Sequence, residues 1–135
     1  MLLKFLGKYR DVGLLLMRIG LGIMFMLHGL PKLLAGPRTW AGVGVAMGNL
    51  GIHFYPKVWG FLAATTEGIG GLLLAIGIFY RPVCVLLAFT MTVACLKHYS
   101  SGDDFMNKTS RPLELAIVFF GLSFVGPGRF SVDKD

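Results

Sequence analysis

Apolar residues fall into four long runs along this chain, separated by polar or glycine-rich segments. The first run extends from Val12 to Leu30, and the second covers 23 residues from Val58 to Tyr80. The third follows a turn at Arg81-Pro82 and reaches Tyr99, and the fourth occupies Pro112 to Gly126. Because about 20 apolar residues in a helix cross the hydrocarbon core of a bilayer, the pattern predicts an all-α, integral membrane four-helix bundle.

The segments between the runs predict how the helices connect. Pro31 removes a backbone donor, so the first helix is expected to end or kink there. Gly36 to Pro56 is expected to form a short interfacial helix or loop, a lid between the first two spans. Ser100 to Ser110 is polar and predicts an exposed loop. The fourth run has only 15 residues, which predicts a short span.

Composition supports a membrane location and excludes a water-soluble core. Hydrophobic residues make up 55% of the chain and charged residues 15%, whereas about a quarter of residues are charged in soluble domains. The net charge of +6 comes from basic residues near the ends of the apolar runs. Because they form no dense basic block, nucleic acid is excluded as a partner and a lipid bilayer is expected. The 135 residues are expected to form one domain, 1–135.

The number of spans and the basic N-terminus predict the orientation. An even number of spans places both termini on one side of the membrane. Lys4, Lys8 and Arg10 precede the first apolar run, and basic residues beside a first helix favour the cytoplasm. The chain is therefore expected to be a multi-pass protein of the inner (cytoplasmic) membrane with both termini cytoplasmic.

Ionisable residues interrupt the apolar runs, although a charge at the bilayer centre costs about 2.5–3.5 kcal/mol. They are therefore expected to face the protein interior. At about 1.5 Å of rise per residue, His28 and His98 lie at the same depth from their helix starts. Glu114 enters from the same outer side, and Glu67 lies just below. These depths predict a ligand-binding pocket bounded by His28, Glu67 and His98, with Glu114 at its rim.

Arg18 in the first helix and Glu67 in the second are expected to form a buried ion pair. The long arginine side chain would cover a depth difference of roughly 10 Å. A structural role is favoured over a catalytic one, because losing one partner of a buried pair costs about 3–5 kcal/mol and would make both residues indispensable. The sequence assigns no catalytic residue.

Other interpretations of these polar residues stay open. Glu114, in a first helical turn, would complement the helix dipole, and His28 would be a satisfied interface histidine. The two level histidines would also suit a haem iron, but nothing else in the chain favours haem. Cys84 and Cys95 lie 11 residues apart on one predicted helix, too far for a disulfide. Without metal-ligand spacing, no metal site is expected.

Three blocks of sequence form a recognisable combination. The first contains RIGLG from Arg18 and HGLPKL from His28. The second is TEGIGGLLLAIG from Thr66, and the third is GPGRFSVD, Gly126 to Asp133. In this order, and covering the chain from about Leu14 to Asp133, the blocks resemble the DoxX family of small bacterial and archaeal membrane proteins.

The resemblance implies a four-helix membrane bundle with a link to quinone chemistry. The family takes its name from a subunit of a thiosulfate:quinone oxidoreductase, and members are associated with quinone-linked redox or oxidative stress. The expected function is thus a quinone- or quinol-interacting subunit of a membrane redox system. A soluble redox partner protein would supply the electron-transfer centre, because the chain has no built-in cofactor motif. At most, the chain is a subunit of an enzyme.

Two alternatives from other classes remain. The chain could be a non-catalytic membrane anchor or assembly protein for a soluble partner, with a purely structural polar interior. It could also be a carrier for a small hydrophobic molecule. Co-purified quinone would favour the first function, a stable soluble partner without ligand the second, and saturable uptake into liposomes the third. A homo-oligomer is compatible with each of them.

Overall fold

The computed structural model describes residues 2–133, and these residues form helices and no strand. Five α-helices follow one another: α1 Arg10–Leu34, α2 Pro37–Gly44, α3 Pro56–Ile76, α4 Tyr80–Ser100 and α5 Ser110–Val125. Three short segments complete them: 3₁₀ helices at Lys4–Tyr9 and Val45–Leu50, and a π-helical turn at Phe105–Thr109. The all-α prediction is confirmed. The single domain predicted from the sequence, 1–135, includes Met1, Lys134 and Asp135, which lie outside the described residues.

Three stretches within the described residues are long and apolar enough to cross a membrane. They are Lys4–Leu34, Pro56–Ile76 and Tyr80–Ser100. The fourth long helix, α5, has 16 residues and therefore rises about 24 Å, less than the bilayer core requires of an upright helix. It packs along α4 and ends at Val125.

The first and last segments that the structure describes lie on the same side of the bundle. The backbone N–H of Arg129, after α5, donates to Oδ1 of Asp11 at the start of α1 over 3.0 Å. We call this end of the bundle the termini side and the opposite end, where α1 and α4 finish, the distal side. Which side faces the cytoplasm stays a prediction.

Helix α1 continues for one turn beyond the point expected from the sequence. Pro31 was predicted to end or kink the helix, but α1 extends to Leu34. The indole Nε1 of Trp40 donates to the carbonyl oxygens of Lys32 and Leu33 over 3.2 and 3.1 Å. These bonds satisfy carbonyls that a helix end leaves without partners, so the last turn is stable despite the proline.

Glycines bring α1 and α3 into backbone contact. A Cβ placed on Gly29 would lie 2.2 Å from the backbone nitrogen of Gly68, and one on Gly22 would lie 2.5 Å from the carbonyl oxygen of Gly71. No larger side chain fits at these crossings. Such close approach is the usual way in which helices associate in lipid.

Close backbone contacts at glycines also hold the lid between α1 and α3 in place. A Cβ on Gly60 of α3 would lie 1.6 Å from the carbonyl oxygen of Trp40, and one on Gly44 of α2 would lie 1.7 Å from that of Pro56. The 3₁₀ helix Val45–Leu50 continues from α2 across the distal side. There the Ser100 hydroxyl donates to Oδ1 of Asn49 over 2.7 Å and ties the lid to the end of α4.

The segment after α5 closes the termini side. The carboxylate of Asp133 accepts hydrogen bonds from the backbone N–H groups of Phe79 (3.2 Å) and Tyr80 (2.7 Å) at the start of α4. The Asp133 N–H in turn donates to the Gly77 carbonyl over 2.8 Å. Asp133 therefore caps α4 from a distant part of the chain.

Replacing Asp133 with alanine is expected to destabilise the protein by about 1 kcal/mol, the usual effect of losing an N-terminal helix cap. The Asp133→Asn variant keeps one acceptor oxygen and should lose less. Thermal unfolding of the detergent-solubilised variants, followed by circular dichroism, measures both changes. Equal losses in the two variants would contradict a capping role for the carboxylate.

Candidate functional site

A cavity of about 390 Å³ lies between α3 and α4 on the distal side, under the lid. Its apolar wall includes Met47, Trp59, Leu62, Leu86, Phe89 and Val93. Its polar lining consists of Lys32, Thr66, Glu67, Thr90, Lys97 and His98. An apolar cavity of this size with a few convergent polar groups is typical of a small-molecule binding site.

One polar wall of the cavity is an ion pair between α1 and α3. The Lys32 Nζ lies 3.0 Å from Oε2 of Glu67, and the carboxylate side chain is only 7% exposed. The pair forms because Gly29, one turn before Lys32, packs directly against the backbone of Glu67 and Gly68. The ammonium group compensates the cost of burying the carboxylate.

The other polar wall is His98, in the last turn of α4. Its Nδ1 lies 2.7 Å from Oδ2 of Asp103, in the loop that leaves the helix. The hydrogen bond from His98 is the main cause that lowers the pKa of the Asp103 carboxyl below its usual value. The resulting stabilisation is present above the ordinary carboxyl pKa and is lost as the pH falls through the lowered pKa of folded Asp103.

Only two of the four predicted pocket residues line this cavity. Glu67 and His98 do, whereas His28 and Glu114 are exposed and lie outside it. The buried face of α1 contains Phe25 and Gly29. His28 precedes Gly29 by one residue and therefore points about 100° away from that face. The depth estimates left this rotation about the helix axis undetermined.

The predicted ion pair between Arg18 and Glu67 is not formed, since Glu67 pairs with Lys32. Arg18 is 2% exposed and donates to backbone carbonyls instead. Its acceptors are Leu74 O (3.3 Å), Ala75 O (3.1 Å), Ile76 O (3.5 Å) and Pro127 O (2.9 Å). The first three belong to the last turn of α3, where carbonyls lack helical partners and carry the negative end of the helix dipole. The arginine is stabilised without a carboxylate.

The pocket prediction does not include several polar residues of the site, among them Lys32, Lys97 and Asp103. Lys32 follows Gly29 by three residues and so lies near the buried face of α1, which is a signal that the sequence contained. Lys97 precedes His98 by one residue, and both residues line the cavity. Asp103 follows His98 by only five residues in a polar loop, and that short spacing was the available signal.

A metal site would require several His, Cys, Asp or Glu side chains grouped around one point. Within residues 2–133, no three His, Cys, Asp or Glu side chains are grouped closely enough to hold a metal ion. Cys84 is buried, Cys95 is half-buried, and both are free thiols on α4. The polar chemistry of the cavity is therefore that of the lysines, Glu67 and His98.

Known proteins resemble this chain along most of its length. The inner membrane protein YphA of Escherichia coli is 30% identical over 135 residues, covering 95% of this chain and 93% of YphA. An uncharacterised protein of Haemophilus influenzae is 29% identical, covering 96% of this chain and 94% of its own length. CatD of Bacillus subtilis, provisionally named an oxidoreductase, is 33% identical over 67% of this chain and 63% of its own length.

No solved structure matches the chain significantly. The model of the DoxX family, in contrast, matches residues 13–100, which include most of α1 and the whole of the lid, α3 and α4. The matched region contains Lys32, Glu67 and His98, and its apolar helices have the length and hydropathy of membrane spans. The chain is a multi-pass membrane protein that belongs to the DoxX family.

Proposed function

We propose that this protein binds a quinone or quinol in the cavity between α3 and α4 and acts as the quinone-interacting subunit of a membrane redox system. The observation that carries the proposal is the location of a largely apolar cavity with titratable groups inside membrane-spanning helices. A quinone has the matching properties, because it combines an apolar ring and tail with two carbonyl oxygens that accept hydrogen bonds and protons.

The cavity offers a route from the lipid. Leu62 on α3 and Leu86 and Phe89 on α4 line the cavity, and each is about half exposed on the surface of the bundle. These residues lie in the spanning parts of their helices, so their exposed surfaces face acyl chains. A hydrophobic tail would extend between α3 and α4 into the bilayer while the ring lies in the cavity.

The polar end of the cavity offers hydrogen-bonding groups for the ring oxygens. Lys32 and Lys97 carry N–H groups at the distal end, and Nε2 of His98 would accept from a hydroxyl group of the quinol. The indole Nε1 of Trp59 is buried and has no hydrogen-bond partner within residues 2–133, and Trp59 also lines the cavity. A buried donor without a partner is costly, and a ligand carbonyl would satisfy it.

Electron transfer would require a second protein. A bound quinol releases two electrons and two protons when it is oxidised, and the proposed acceptor of the electrons is a soluble redox partner. The oxidoreductase name of CatD, a relative of this chain, supports a redox role. The chain's own contribution would be to bind the quinone, orient it and accept its protons.

Replacing His98 with leucine is expected to weaken binding of a decyl-tailed benzoquinol about tenfold, because the hydrogen bond from a quinol hydroxyl group to His98, about 1.4 kcal/mol, is lost. Quenching of tryptophan fluorescence in detergent micelles measures the affinity. His28→Leu is the matched control: it makes the same change at the same depth but outside the cavity, and should leave the affinity unchanged.

Thermal unfolding of both variants separates binding from folding. A stable His98→Leu protein with wild-type affinity would show that the quinone does not bind in this cavity. Weaker binding in His28→Leu instead would place the site on the exposed face of α1. Absence of saturable quenching in the wild type would contradict quinone binding altogether.

A further inference from the structure

Asp103 contacts the candidate site without being part of the cavity lining. It lies in the loop after α4, with a side chain that is 28% exposed, and its Oδ2 is 2.7 Å from Nδ1 of His98. His98 itself lines the cavity. An imidazole therefore connects the interior of the cavity to a carboxylate at the distal surface.

The hydrogen bond determines which nitrogen of a neutral His98 ring can accept a proton. An ionised carboxylate only accepts hydrogen bonds, so the contact requires the proton of the ring to be on Nδ1. Nε2 then has a free lone pair. Carboxylates that hold a histidine in this way also stabilise the imidazolium that forms when Nε2 takes up a proton.

From this geometry we infer that His98 is a base, positioned by Asp103, that deprotonates a phenolic hydroxyl of the ligand, so that the site binds a quinol as its monoanion. This inference rests on the proposed function and names the form of the ligand. In the step, the ligand O–H bond breaks and its proton forms a bond to Nε2 of His98. The electron pair stays on the ligand oxygen as a phenolate. No electron is transferred, so no oxidant is required.

The charges around the cavity favour the ionised ligand. Lys97, on the same helix as His98, adds a positive charge to the lining. From α1, Lys32 lies at the same end, but its charge is balanced by Glu67 of α3. From the π-helical turn, Lys108 adds a positive charge near Asp103. With Asp103 balancing the imidazolium, the remaining positive charge of Lys97 is available to a phenolate.

The location of His98 and Asp103 also gives the proton an exit. The His98 side chain is 37% exposed and the Asp103 side chain 28%, so the pair reaches water at the distal surface while His98 also lines the cavity. A proton taken from the ligand would thus leave to water on the distal side, on the opposite side from the chain termini. Exchange of the imidazolium proton with distal water would then restore the base.

The test uses two probes, an alkyl-tailed 4-nitrophenol and its methyl ether. The phenol changes its visible absorbance when it ionises, and the ether cannot ionise. In purified wild-type protein the bound phenol is expected to titrate about one pH unit lower than in the Asp103→Asn variant, a tenfold change in the phenolate-to-phenol ratio. The ether should bind both proteins equally, because Asp103 does not line the cavity.

Asp104→Asn is the matched control, since it removes the same charge at the next residue, outside the contact with His98. It should leave the titration of the bound phenol at the wild-type value, and Asp103→Glu should restore part of the shift. His98→Gln provides a second variant should Asp103→Asn fold poorly, and it should raise the titration midpoint by a similar amount.

The outcomes distinguish the inference from the proposed function. If neither the ether nor the quinone binds the wild-type protein, the proposed function is wrong. If both bind but the phenol titrates at the same pH in the wild type, Asp103→Asn and His98→Gln, the cavity binds the ligand without acting as a base. An equal shift in Asp104→Asn would assign the effect to general surface charge and would also overturn the inference.

Discussion

Replacing Arg18 with methionine is expected to destabilise the bundle by about 3 kcal/mol or more, since each buried carbonyl that loses its partner costs about 1–3 kcal/mol. The guanidinium bonds the end of α3 and the carbonyl of Pro127 together. Methionine fills much of the same volume but donates no hydrogen bond. Unfolding of the variant in mixed detergent micelles, followed by circular dichroism, measures the loss.

Arg38→Met is the control for this substitution, because Arg38 is exposed on α2, and it should change stability by less than about 0.5 kcal/mol.

The structure also predicts how the loss of stability in Arg18→Met combines with the loss in Glu67→Leu. Arg18→Met and Glu67→Leu should be additive within about 0.5 kcal/mol, because the two side chains have separate partners. Lys32→Met and Glu67→Leu should instead couple strongly. Coupling between Arg18 and Glu67 would contradict the observed pairing.

Replacing Gly29 with alanine is expected to cost about 3 kcal/mol, at the upper end of the usual penalty for overpacking. The added methyl group would lie 2.2 Å from the backbone nitrogen of Gly68 and 2.7 Å from Cβ of Glu67. Since backbone atoms cannot move aside as a flexible side chain can, α1 and α3 would have to separate. The Lys32–Glu67 pair one turn away should weaken with them, and quinone affinity should fall as well.

Gly20→Ala is the matched control, because it makes the same substitution on α1 at a position that does not pack against α3. Gly20 is exposed, and its added Cβ would meet nothing within 4 Å. Because alanine favours a helix by about 1 kcal/mol over glycine, this variant should be neutral or slightly stabilised. Equal destabilisation of the two variants would show that helix flexibility, and not close packing, explains the glycines. The comparison needs only unfolding curves of two single substitutions.

Much of the fold follows from local properties of the chain. The length and apolarity of the runs predict four spanning helices, and three of them have the length and hydropathy of membrane spans, whereas α5 is shorter. The first and last described segments lie on one side of the bundle. The lid between the first two spans is also predicted, although its division into α2 and a 3₁₀ helix is not. The sequence predicts an end or a kink of α1 at Pro31, whereas the helix continues to Leu34. Its last turn is stabilised by Trp40, which lies beyond the helix, so local sequence does not reveal the boundary.

The candidate site was predictable in part, for a geometric reason. Depth along a helix follows from counting residues, so the sequence predicts polar groups at one end of the bundle and names Glu67 and His98, which line the cavity. Depth alone says nothing about rotation about the helix axis. The buried face of α1 contains Phe25 and Gly29, and His28 therefore faces outwards.

Residue types alone establish that charged groups within the spans need partners, because the bilayer supplies none. Which residues serve as those partners depends on contacts between distant segments of the chain, which residue counting does not reveal. The glycine crossing of α1 and α3 brings Lys32 to Glu67, and the free carbonyls at the end of α3, together with the returning C-terminal segment, bind Arg18. From sequence alone, a carboxylate is the expected partner for a buried arginine. The end of α3 carries partial negative charge as well, but only the packing of the helices brings Arg18 to it.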